Sequence, residues 1–90
     1  MTEDRTLQLK THILRELVHT PRSYMLPEAD LLAGVKLALD PPPDAAEWEE
    51  MELALELDGI IARERCDARR TSLWYITPTG RRHAKALGIK

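Results

Sequence analysis

The sequence predicts a small α+β domain, mainly helical, in which three helices precede a β-hairpin and a short C-terminal helix follows it. Three observations carry this expectation. Apolar residues recur at helical spacing as far as Gly59. Beyond it the chain changes to short mixed and aromatic runs on either side of a polar stretch. Proline and glycine mark each junction between these segments.

The first helix is expected from about Arg5 to His19, with Leu7, Ile13, Leu14, Leu17 and Val18 near one face. Thr20-Pro21 ends it, because a residue before proline is pushed out of the α region. Ser23-Tyr24-Met25-Leu26 suits a short extended edge piece, and Pro27 suits the first turn of a second helix, where its missing N–H is no loss. Leu31, Leu32, Val35, Ala38 and Leu39 supply the apolar face of that helix, and Asp40-Pro41-Pro42-Pro43 breaks it. Asp44-Ala45-Ala46-Glu47 has the spacing of a capping box. The third helix should then run to about Asp58, with Gly59 as its left-handed stop. Ile60–Cys66 and Leu73–Ile76 form the hairpin around a basic tip, Asp67 to Ser72. Thr77 as N-cap and Pro78 at the first position open the last helix, which Ala84 and Leu87 should fasten to the core.

Ninety residues make one small domain, so residues 1–90 are read as a single unit. Phe is absent, which leaves Leu, Ile, Ala and Met to build most of the core. A lone cysteine, Cys66, excludes an internal disulfide framework. The polar, acidic start lacks a signal peptide's basic and apolar pattern, and no apolar run approaches the roughly 20 residues that span a bilayer. A cytoplasmic setting without membrane contact is therefore expected.

The net charge of −2 conceals a separation of sign. Residues 44–60 hold Asp44, Glu47, Glu49, Glu50, Glu52, Glu56 and Asp58 with no base. Residues 61–90 hold Arg63, Arg65, Arg69, Arg70, Arg81, Arg82, Lys85 and Lys90 against Glu64 and Asp67. Such a division says more about partners than the total does.

The C-terminal half carries a resemblance. Leu55-Glu56-Leu57-Asp58-Gly59-Ile60-Ile61-Ala62-Arg63 resembles the end of a recognition helix entering a first wing strand. Trp74-Tyr75-Ile76-Thr77-Pro78-Thr79-Gly80-Arg81 is similar to the Y-x-L-T-P-x-G-R segment of MarR-like and PadR-like regulators. The resemblance covers most of the chain and implies a winged helix-turn-helix. In that fold the third helix commonly enters the major groove while the wing touches the DNA backbone or the minor groove.

This chain departs from the pattern in two ways. By position the recognition helix is Asp44 to Asp58, yet groove-reading helices offer Arg, Lys, Asn or Gln, and carboxylates repel phosphates. The family pattern also places an apolar residue seven before the glycine, where Glu52 stands here. The wing is the basic part: Arg63, Arg65, Arg69, Arg70, Arg81 and Arg82 are the candidate DNA-contacting residues. Alternatively these arginines pair with the acidic third helix of the same or another molecule.

Trp48, Met51 and Leu55 share one face of the third helix, while Leu53 and Leu57 lie on a second face, about 160° away from Leu55. That second face is either buried by the last helix or exposed to a partner, with Glu49 and Glu50 beside it. Cys66 near the basic tip could sense oxidant, although a lone cysteine is more often incidental. His12, His19 and His83 are scattered without metal-ligand spacing. No phosphate-cradling glycine loop, nucleophile elbow or His-Glu-x-x-His is present, so neither enzyme, cofactor nor metal is expected.

Two functions remain from this reading. One is a small transcriptional regulator that contacts double-stranded DNA mainly through its wing, expected as a homodimer because a single such domain grips little DNA. The other is a protein–protein interaction module that docks through Glu49, Glu50, Leu53 and Leu57 on a partner or sister subunit and binds no DNA.

Overall fold

A computed structural model describes residues 3–20, 25–66 and 71–89. Arg69 and Arg70 lie outside the described residues, as does the Cys66 side chain. The elements follow in the order α1 (Glu3–His19), β1 (Leu26–Pro27), α2 (Glu28–Ala38), α3 (Ala45–Leu57), β2 (Ile61–Cys66), β3 (Thr71–Ile76) and α4 (Pro78–Ala86). The strands form one antiparallel sheet in the order β1-β3-β2, with Leu26 opposite Trp74 and Ile61 opposite Ile76. The expected edge piece is therefore a third strand. Pro27 closes that strand and caps α2 from outside instead of opening the helix.

The core lies where the three helices meet the inner face of the sheet. Leu9, Ile13, Leu14 and Leu17 of α1 pack with Leu31 and Val35 of α2, with Trp48, Met51 and Leu55 of α3, and with Ile61, Trp74 and Ile76 of the sheet. The stripe of α1 is centred on Leu9, Ile13 and Leu17. Leu7 lies about 120° from that centre and is exposed, so its expected place in the core is corrected. Ala38 is exposed too, while Leu39 is buried. At the C-terminus Ala84 and Ile89 enter the core, whereas Leu87 is exposed, which corrects its expected place there.

Local signals set the helix ends. Asp44 Oδ1 accepts from Glu47 N–H at 2.8 Å, and Glu47 Oε1 accepts in return from Asp44 N–H at 3.3 Å. Gly59 takes φ +72, the left-handed conformation that releases the chain from α3 into β2. The strand β3 begins at Thr71, two residues before the expected start, because Cys66 and Arg65 pair with Thr71 and Ser72.

A compact junction joins the end of α3, the start of the hairpin and the start of α4. Thr77 N–H donates to the Ile60 carbonyl at 3.1 Å. The Thr77 hydroxyl donates to the Gly59 carbonyl at 2.5 Å and accepts from Gly80 N–H at 2.9 Å. Gly80 lies so close that an added Cβ would sit 2.0 Å from the Ile60 carbonyl oxygen and 2.7 Å from Ile76 Cγ1. The first of these is backbone and cannot swing aside. Replacing Gly80 with Ala should therefore destabilise the fold by at least about 1–3 kcal/mol. In thermal denaturation that is a drop of roughly 4–8 °C for each kcal/mol in a domain this size; an unchanged midpoint would refute the close contact.

Candidate functional site

The features that set this chain apart converge between α2, α3 and the hairpin. Paired residues of an antiparallel ladder project to the same face, so Arg63 opposite Trp74 and Arg65 opposite Ser72 stand on the helix-facing side of the sheet. The Arg63 guanidinium lies 5.5 Å from the Trp74 ring centroid, and its Nε is 3.1 Å from Glu56 Oε2 of α3. Arg65 also has an interaction partner. An open cleft of about 480 Å³ lies here, lined by Glu28, Glu56, Arg63, Arg65, Thr71 and Ser72. Arg63 is thus committed to α3 and to the wing's aromatic ring.

Arg81 and Arg82 do not join this group. The hairpin base is the Ile61–Ile76 pair and its far end is Cys66–Thr71, about 17 Å apart at the rise of a strand. Arg81 and Arg82 follow the base, on α4, where Arg82 donates to Thr79 Oγ1 at 3.3 Å. The four described candidate arginines therefore divide between the hairpin and α4, with Arg69 and Arg70 outside the described residues.

Glu52 occupies the place where the family pattern has an apolar residue, and it is only 6% exposed. Its Oε2 is buried without a hydrogen-bond partner. Burial, and after it the carboxyl of Glu28 in the first turn of α2, push its carboxyl up to about 8. Arg63 opposes the shift and Glu49 adds to it. A protonated Glu52 can share its proton with Glu28, so the two carboxyls meet between α2 and α3 with one negative charge in place of two. The anomaly at Glu52 was visible in the chain; its partner Glu28 was not, because only packing brings the start of α2 onto the middle of α3.

The face of α3 opposite the core is bare. Leu53 is 55% and Leu57 77% exposed, and Glu49 and Glu50 are exposed beside them. The last helix packs elsewhere, so the apolar second face stays open to solvent. At the other end of α3, Arg5 Nε binds Glu47 Oε2 at 3.0 Å. That contact and the Asp44 N–H hold the Glu47 carboxyl below its usual value.

These elements can be compared with known proteins. No protein-family model matches the chain, and no curated protein matches it. Among solved structures it is similar to the crystal structure of a transcriptional regulator of the MarR family from Silicibacter pomeroyi, with a TM-score of 0.70 and 25% identity over 89% of this chain. The fold is a winged helix-turn-helix. This chain spans about half of that protein's length, 48%. The likeness accords with the MarR side of the sequence resemblance. On this frame α2 and α3 are the helix-turn-helix and β2–β3 the wing. Among the described residues no helix is long and apolar enough to cross a membrane, and no cluster of His, Cys, Asp or Glu could hold a metal ion.

The Glu52 shift has a pH signature whose sign is fixed. The unfolded chain releases this proton near 4.5, whereas the folded chain keeps it to about 8. Stability from this group is therefore full below the lower value, declines as pH rises between the two, and levels off above. Thermal midpoints measured from pH 5 to 8.5 should fall by several degrees in the wild type. Glu52→Gln, which keeps the shape without the charge, should flatten that fall. The Glu47–Arg5 contact is lost on the acid side and leaves this window alone.

Proposed function

We propose that this chain is a DNA-binding transcriptional regulator of winged-helix type that grips the duplex backbone through its wing and reads few bases with α3, residues 1–90 acting as one domain. The observation that carries this reading is the winged-helix frame it shares, over most of its length, with a transcriptional regulator. The concentration of base in residues 61–90 supports it, since arginine suits bidentate phosphate contact. Within the wing, Arg65 and the tip residues Arg69 and Arg70 are the proposed contacts. Arg63, held by Glu56 and stacked on Trp74, is proposed to stiffen the wing from behind. A cytoplasmic setting fits a regulator of this kind.

A second reading is favoured by one observation. The side of α3 that a groove-reading helix would offer to bases carries Glu49, Glu50, Leu53 and Leu57. Two leucines and two acids suit a protein surface better than a groove lined by phosphates. On this reading the frame is kept and DNA binding is not.

Fluorescence anisotropy with generic duplex DNA, titrated from low to physiological salt, separates the two. A regulator of the proposed kind should bind with an affinity that weakens along a log–log slope of a few units. Arg69→Ala with Arg70→Ala should then reduce that slope by about 1–2. Glu49→Lys with Glu50→Lys should raise affinity by removing repulsion. Absence of binding at low salt would reject the regulator and leave the docking module.

A further inference from the structure

The bare face of α3 has a shape and a charge that together name its cover. Ala46, Glu49, Glu50, Leu53 and Leu57 fall on one side of the helix, and all five are exposed. A single exposed leucine needs no explanation, but two on one stripe, a turn apart, form a small apolar patch. Neither Glu49 nor Glu50 makes an ion pair among the described residues.

Charge decides what can lie on this strip. A second α3 would set one acidic helix against another, so a twofold contact through this face is repelled. The helices α1 and α2 are mixed in sign, with Lys10, Arg15 and Glu16 on the first and Glu28, Asp30 and Lys36 on the second. The helix α4 is of opposite character: it carries Arg81, Arg82, His83 and Lys85 and no acid. Arg82, Lys85 and Ala86 are exposed and share one side of this helix. Arg82 touches Thr79 of its own helix and, among the described residues, no carboxylate.

We propose that the α3 face of one copy of this chain docks on α4 of a second copy, with Glu49 and Glu50 meeting Arg82 and Lys85 and the leucine strip covering Ala86 and the aliphatic stems of those two bases. The two patches differ, so a docked pair keeps one unused α3 face and one unused α4, and the assembly grows head to tail. Solvent-exposed ion pairs at its rim make the contact weak and strongly dependent on salt. The proposal stands on α3 and α4 alone and does not rest on DNA binding.

Sedimentation velocity without DNA tests it. At low salt the weight-average sedimentation coefficient of the wild type should rise with protein concentration, and physiological salt should reverse the rise. Glu49→Lys/Glu50→Lys and Arg82→Glu/Lys85→Glu alter exposed positions only, and circular dichroism checks that both variants fold. Each variant alone should sediment as a monomer. An equimolar mixture should associate again, because the reversed α3 of one now complements the reversed α4 of the other. Leu57→Ser should weaken association by about tenfold, the effect of losing one buried leucine at a small interface. A wild type that stays monomeric at every concentration in low salt overturns the proposal, as does a mixture of the two variants that stays monomeric.

Discussion

The Ile60 carbonyl is the point on which the parts of this fold are fixed relative to one another. It accepts the Thr77 N–H, and the Gly80 Cα presses against it with no room for a side chain. The same few residues end α3, open β2 and start α4. Gly59 turns the chain out of α3 through a left-handed residue, and the Thr77 hydroxyl ties that glycine's carbonyl to the Gly80 N–H. The direction of the wing relative to α3 is therefore set by short hydrogen bonds and one backbone contact, and only secondarily by apolar packing. This gives a mechanical reason for the threonine, proline and glycine of the T-P-x-G segment. Threonine caps, proline begins the helix, and glycine permits the approach.

Charge is arranged around that frame in three depths. Glu47 and Glu56 are used at the surface, as partners of Arg5 and Arg63, and they brace α3 against α1 and against the wing. Glu52 is used inside, where burial keeps its proton and lets it face Glu28. Glu49 and Glu50 remain outside beside two bare leucines. An acidic helix thus has structural work for about half of its carboxylates, while the rest define a surface unlike that of a groove reader. Arg63 shows the same economy from the basic side: a residue with the chemistry of a phosphate contact is occupied by a carboxylate and an indole.

Much of the frame was legible along the chain because its signals are local. The capping box at Asp44 and Glu47, the glycine stop at Gly59 and the Thr77–Pro78 start each depend on residues within one helical turn. Burial was legible only where periodicity was unambiguous, as for Trp48, Met51 and Leu55. It misled at Leu7 and Leu87, which sit at the edges of their stripes, where neighbouring elements decide whether a side chain is covered. The functional residues were less legible. Spacing alone cannot show that Arg63 is taken up by Glu56 and Trp74, because strand residues alternate and the register has to be known first.

The sequence by itself determined the winged-helix order of elements, their caps and breaks, and the division of charge between residues 44–60 and 61–90. Those properties follow from backbone preferences and from composition, which act over short distances. Only the tertiary structure decided that Glu28 meets Glu52, that Arg63 and Arg65 stand apart from Arg81 and Arg82, and that Leu53 and Leu57 stay bare. Each of these depends on which surfaces distant segments bury against one another, and that is set by the packing of the whole core.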